Sequence, residues 1–236
     1  MLYRPLFWTS YWCEDWIHCS NYRGGVSRIL ISSASSKTAF CLAYFIGKRI
    51  RSGDINKETK IVGLTSRGNV DFTKRLELYH KVFDYDSFTS AHSFQGGRDI
   101  RWIYVDVAGN ENLSKRIHAH FASPYTGKLA ANIILGLTNL HPSTADTTPK
   151  KLGTNPFHVS EATSDVNTST SALWPQEEFF FMPDGGLVEL QRVYGGLEVK
   201  DAYRKLSREG LGPDKGLIWS LWDGDMTHLL PLTSKL

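Results

Sequence analysis

Five runs of apolar, largely β-branched residues recur along this chain with helix-forming stretches between them. They are residues 26–32 (VSRILIS), 60–65 (KIVGLT), 81–85 (KVFDY), 101–107 (RWIYVDV) and 131–137 (ANIILGL). Runs that are apolar throughout, rather than alternating, mark strands that need cover on both faces. The stretches between them supply that cover. Residues 37–50 form a helix that is apolar nearly all round until Lys48, and 69–79 a helix opened by Asn69 as its N-cap, with Asp71 in the first turn. Residues 113–121 form a third.

Strand and helix in alternation predict an α/β chain with a doubly wound, mainly parallel sheet of the Rossmann type. Such sheets take ligands at the carboxyl ends of their strands, where the strand order reverses. A chain of 236 residues with 41% hydrophobic content can bury a full core. Residues 26–236 are therefore expected to form the nucleotide-binding domain, interrupted by a Ser/Thr-rich loop at 139–175 that has no hydrophobic period. Beyond the loop, 178–182 (EFFFM) reads as a strand halted by Pro183-Asp184-Gly185-Gly186, 199–209 as a helix and 216–221 (GLIWSL) as a last strand.

Several function classes lose support from the totals. A net charge of +3, with Lys and Arg spread along the chain, argues against nucleic acid as a partner. Cys13, Cys19 and Cys41 have no CxxC spacing, so neither a disulfide framework nor a zinc site follows, and a reducing cytoplasm is the expected location. No apolar run is long enough for a membrane span, and no signal peptide is visible. His118 and His120 stand two apart, on different helix faces, and even with Glu111 nearby read as solvated or capping residues. No metal is expected. Asp223, Asp225 and His228 read as a polar turn, and Lys128 carries no spacing argument.

The turn after the first strand is Ser33-Ala34-Ser35-Ser36-Lys37-Thr38-Ala39. Unpaired amides at a helix N-terminus favour an anion there. A dinucleotide fingerprint would carry glycines at three-residue intervals; here Ser33, Ser36 and Ala39 occupy that spacing, all small. Ser33, Ser35, Ser36 and Thr38 add hydroxyls, and Lys37 adds a charge within reach of phosphate oxygens. A P-loop is excluded, because Ile31 and Ser36 fall where its two glycines must be. The Tyr44-x-x-x-Lys48 spacing of a short-chain reductase lies on the wrong helix and reads as packing and a solvated end. After the second strand comes Thr65-Ser66-Arg67-Gly68-Asn69, with hydroxyls and a guanidinium where NAD-preferring chains place an acid. That favours a 2′-phosphate, hence NADP(H), with Lys74 a possible helper.

"ILISSASSKTAFCLAY", "IVGLTSRGN", "LELYHKVFDYD" and "YVDVAGN" resemble the nucleotide-binding half of the medium-chain dehydrogenase/reductases, on the quinone oxidoreductase side. More closely, they resemble a fungal and bacterial family of unknown function that keeps an SSASSKTA loop. The resemblance implies phosphate contacts from Ser35, Ser36, Lys37 and Thr38, a 2′-phosphate end at Ser66, Arg67 and Asn69, and an adenine side at Tyr85. It places Asp106, Val107, Ala108, Gly136 and Thr138 near the nicotinamide. Medium-chain reductases begin with a β-rich, GroES-like domain, and this chain is expected to start where that domain ends. Residues 1–25 would then be a junction remnant, with Trp8, Trp12 and Trp16 forming one helical stripe, read as core or interface packing, the interface being a second copy or a partner chain. Three activities follow as expectations: an NADP(H)-dependent reductase of a small carbonyl or enone; an enzyme of the same fold doing isomerisation, cyclisation or decarboxylation in secondary metabolism; or a non-catalytic nucleotide-binding module.

Overall fold

The strands pair in the order a doubly wound sheet demands. In the computed structural model, which describes residues 4–91, 94, 99–135, 155–156 and 189–221, α1 is Arg4–Cys19, β1 Arg28–Ile31, α2 Lys37–Ser52 and β2 Lys60–Thr65. A short 3-10 turn, Arg67–Asn69, leads into α3 (Val70–Arg75), then β3 (Lys81–Asp84), β4 (Arg101–Asp106), α4 (Glu111–Phe121), β5 (Lys128–Ile134) and β6 (Asn155–Pro156). The sheet order is β3-β2-β1-β4-β5-β6, every neighbouring pair parallel. Its order reverses at β1, which lies between β2 and β4.

Successive residues of a strand face opposite sides of the sheet, and the core divides accordingly. Ile29, Ile31, Ile61, Ile103, Val105 and Ile133 pack on one face with Cys13 and Ile17 of α1 and Leu42, Ala43 and Ile46 of α2. Leu30, Val62, Leu64, Trp102 and Tyr104 pack on the other with Phe88, Phe94 and Leu113, Ile117 and Phe121 of α4. Each such aliphatic side chain contributes about 1.5–3 kcal/mol by leaving water.

Three sequence-based boundaries move. The expected helix 69–79 ends at Arg75, because Glu77 turns the chain at a φ of 55° and sends Tyr79 back beneath the loop after β1. The expected strand 131–137 begins earlier, at Lys128, where β5 joins the edge of β4. Inside 139–175, Asn155 and Pro156 pair with Ile133 and Ile134 as the edge strand β6, a place where a proline's missing donor is tolerated.

The chain divides into two compact units, Met1–Thr168 and Ser169–Leu236. Within the second, β7 (Glu189–Tyr194), α5 (Gly196–Glu209) and β8 (Lys215–Ser220) form a β-α-β unit with parallel strands, Tyr203 meeting Trp219 edge-on. No helix among the described residues is long and apolar enough to cross a membrane. The expected strand 178–182 and the Asp223, Asp225, His228 group lie outside the described residues.

Candidate functional site

The turn joining β1 to α2 lies at the carboxyl end of β1, on the topological break. Ser33 takes a left-handed φ of 51°, a conformation in which glycine carries no Cβ penalty, so a serine stands where the backbone asks for the glycine of a dinucleotide fingerprint. The turn is held from below. Ala34 N–H donates to the Leu64 carbonyl at 2.9 Å, and the buried Tyr79 hydroxyl donates to the Ala34 carbonyl at 2.9 Å. Burial drives the Tyr79 hydroxyl's pKa well above its ordinary value, so it stays a donor. A Cβ added to Gly63 of β2 would lie 2.8 Å from the Ala34 Cβ, which is why this strand position carries no side chain.

Ser35 is 8% exposed, and its Oγ accepts from Thr65 Oγ1 at 3.0 Å and from Asn69 Nδ2 at 3.1 Å. These two expected ligand-contacting groups, Ser35 and Asn69, thus spend their side chains holding the loop to the end of β2. Asn69 stands at the N-cap position of α3, as read from the sequence, while its side chain bonds Ser35 and makes no capping hydrogen bond. Ser36 is the N-cap of α2, its Oγ accepting from Ala39 N–H at 3.3 Å.

The turn also presents backbone. The amides of Ser33, Ser35 and Thr38 have no acceptor among the described residues, while those of Ala34, Ser36 and Ala39 are taken. Lys37 opens α2 beside them, half-buried. Tyr85 lines the same turn, its hydroxyl 3.4 Å from Ser33 Oγ, and its own N–H donates to the Thr65 carbonyl. Beyond the end of β2, Ser66 and Arg67 are exposed, and the Arg67 guanidinium makes no hydrogen bond or ion pair among the described residues.

Across the break, Asp106 ends β4 at 1% exposure. Its Oδ1 accepts from Ser32 Oγ at 2.9 Å and from Gly109 N–H at 3.0 Å, and its Oδ2 from Ser114 Oγ at 2.6 Å. Val107 N–H donates back to Ser32 Oγ at 3.2 Å. Asp106 is therefore a clamp joining β1, β4 and the first turn of α4 rather than an open carboxylate. Val107 and Ala108 follow it at the rim, both half-buried. Ser32 is missed by sequence reading, since only the strand order brings it beside Asp106. Gly136 and Thr138 lie outside the described residues.

The N-terminal segment braces α2 at both ends. Ser10 Oγ lies 2.8 Å from the carbonyls of Leu6 and Thr38, at the loop end of α2. At the other end Arg49 Nε is 3.0 Å from Glu14 Oε2 and its NH2 is 3.0 Å from Asp15 Oδ1, while the Tyr22 hydroxyl donates to Glu14 Oε1 at 2.6 Å. Trp8 and Trp12 stack obliquely at 5.2 Å, Trp12 and Trp16 pack on the first core cluster, and Arg23 lies 4.1 Å over the Trp16 ring. The stripe is thus covered in part by the chain itself, in line with its reading as packing.

His118 and His120, read from the sequence as solvated or capping, are half-buried instead. His118 Nε2 lies 3.0 Å from Asn132 Nδ2, and His120 sits among Phe88, Phe94 and Phe121; burial pushes both pKa values down. Among the described residues no cluster of His, Cys, Asp or Glu is arranged to hold a metal ion. Tyr44 packs edge-on against Phe45, and Lys48 is exposed, as expected of a packed face and a helix end.

No curated protein matches this sequence significantly. Among solved structures the chain is similar to the YhdH oxidoreductase of Salmonella enterica in complex with NADP, at 12% identity and a TM-score of 0.42 over 89% of this chain and 60% of that one. It is also similar to CurA of Vibrio vulnificus in complex with NADPH, at 14% identity and a TM-score of 0.47 over 90% and 61%. A third is YhdH of E. coli K-12 with bound NADPH, at 13% identity and a TM-score of 0.44 over 89% and 61%. The chain spans about 60% of the length of these structures. A family model described as "Protein of unknown function (DUF2855)" matches residues 1–211, and the chain belongs to that family.

Proposed function

We propose that the turn after β1 binds the diphosphate of NADP(H) and that the chain is an oxidoreductase-like protein acting on a small carbonyl or enone. One observation carries this reading. Among the described residues, three backbone amides, from Ser33, Ser35 and Thr38, stand without acceptors at the start of a 16-residue helix, on the topological break of a parallel sheet. Orphan amides and the positive end of a helix dipole both favour a phosphate there.

The residues divide by task. Ser33, Ser35 and Thr38 present amides, Lys37 brings a charge to the same end of the helix, and Ser36 keeps the helix open at its first turn. Ser66 and Arg67 stand where the 2′-phosphate of NADP(H) would lie, and a guanidinium grips phosphate in a bidentate way. Tyr85 flanks the adenine side. Val107 and Ala108, at the rim across the break, approach the nicotinamide. Bound there, the cofactor supplies the hydride, while the chain orients it. Asp106, fully bonded, holds the two walls of the crevice at a fixed separation.

Arg67→Ala tests the cofactor choice. Affinity for NADPH should fall by about 1–2 kcal/mol, the scale of a lost charge-assisted contact, while affinity for NADH stays put, so the preference narrows roughly tenfold. An unaltered ratio by calorimetry contradicts the 2′-phosphate assignment. Turnover of NADPH with a panel of enones tests the redox step. Conversion of a substrate without cofactor would point to the non-redox chemistry of the same fold.

A further inference from the structure

The edge of the sheet opposite the crevice carries a second concentration of positive charge. Arg28, Lys60 and Lys81 are the first residues of β1, β2 and β3, at the amino ends of three adjacent strands. Register puts them on one face. Arg28 pairs with Lys60 and with Trp102, and Lys81 pairs with Val62, two residues along β2 from Lys60. Neighbouring strands lie about 4.8 Å apart, and like charges directly opposite each other destabilise a sheet.

These side chains surround a cavity of about 250 Å³ whose lining, among the described residues, is Arg28, Lys60, Val62, His80, Lys81 and Trp102. That lining holds three cations and no carboxylate, and neither Arg28 nor Lys60 forms an ion pair among the described residues. One Arg28 nitrogen donates to the carbonyls of Ser27 and Glu58, which fixes the guanidinium at the rim. Ile61 N–H donates to His80 Nδ1 at 3.0 Å, so the neutral ring carries its proton on Nε2 and remains a donor. Burial, then the charge of Lys60 and later that of Arg28, lowers the His80 pKa, so the cations' field is felt at the ring. From β4, Trp102 closes the floor, and Arg101 beside it is engaged with the carbonyls of Arg23 and Gly24.

We infer that this cavity is an anion site that takes a phosphate group, held by Arg28, Lys60, Lys81 and His80 at the amino edge of the sheet. A carboxylate would answer one of the two charges of Arg28 and Lys60, whereas a phosphate dianion answers both and offers more acceptors to the converging donors. The space over Val62 and Trp102 leaves room for a small organic body on that phosphate. The inference is independent of the dinucleotide reading, since the two sites lie at opposite ends of the strands.

The test is binding of inorganic phosphate and of phenyl phosphate at low ionic strength, read by thermal shift and calorimetry. The full chain is compared with Lys60→Gln, Lys81→Gln and, as a control at the other site, Lys37→Gln. Both anions should raise Tm in the unmodified chain, phenyl phosphate more if an organic phosphate is the natural occupant and equally if inorganic phosphate is. Affinity of this site should drop at least tenfold in Lys60→Gln and in Lys81→Gln, whereas phosphate binding that Lys37→Gln alone weakens belongs to the turn after β1. Without phosphate, Lys60→Gln should melt higher than the unmodified chain, because the repulsion from Arg28 is gone, and added phosphate should close that gap. The His80 ring, followed by NMR, should titrate at higher pH once phosphate is present. No binding of either anion, equal binding in the Lys60 and Lys81 variants, or binding lost only in Lys37→Gln overturns the inference.

Discussion

Ser33 holds the sharpest single-residue tension in the site, a Cβ-bearing residue at a φ of 51° in the turn after β1. Relieving it should help. Ser33→Gly is expected to raise stability by up to about 1 kcal/mol, offset in part by the extra freedom glycine brings to the unfolded chain, and to leave NADPH affinity unchanged, since the Ser33 amide is retained. A fall in stability on urea unfolding would mean that the hydroxyl's contact with Tyr85 outweighs the strain. Asp106 poses the opposite case. It accepts from Ser32, Gly109 and Ser114 inside the protein, so Asp106→Ala leaves three donors without an acceptor. The expected loss is about 3 kcal/mol, seen as a lower denaturation midpoint. A variant as stable as the parent would show that the carboxylate is not the clamp described here.

At the scale of elements, the strands were legible because each is apolar on both faces, and a pattern of that kind has one stable use, a covered parallel sheet. The helix after β2 differs from its sequence reading at its end, not its start: Asn69 stands at the N-cap position, but Glu77 turns the chain at a φ of 55° after Arg75. The edge pairing of Asn155 and Pro156 has no periodicity of its own and exists because β5 offers an edge. The bracing of α2 by α1 was equally hidden, since Ser10, Glu14 and Asp15 look like ordinary polar positions until Thr38 and Arg49 are placed beside them. Glu14→Ala should cost about 3 kcal/mol, because Arg49 and the Tyr22 hydroxyl both lose a buried acceptor, and a change under 1 kcal/mol on urea unfolding would count against the brace. The contact between α4 and β5 is pH-linked through His118, whose pKa burial holds below its unfolded value. The unfolded chain then binds more protons, so this group's stabilisation is present above about pH 6.5, the unfolded value, and fades as pH falls through the lower folded value. A His118 midpoint by NMR at or above 6.5 would contradict that sign.

For the whole molecule, the fold and the nucleotide reading stand on different footings. The strand order with its reversal at β1 is a property of the chain itself, and a Ser-rich turn on that reversal was visible in the sequence as small residues at glycine spacing. Which groups in the turn face a ligand was not visible: the Ser35 hydroxyl, expected at a phosphate, accepts from Thr65 and Asn69 within the loop, and we propose that the open amides take the anion. The most direct test of that claim is calorimetric titration of NADPH into the chain, repeated with Lys37→Ala. Saturable binding at one site, tighter than that of NADH and weakened about tenfold in the variant, is the predicted result; absence of binding at millimolar NADPH, or an affinity indifferent to Lys37, contradicts it.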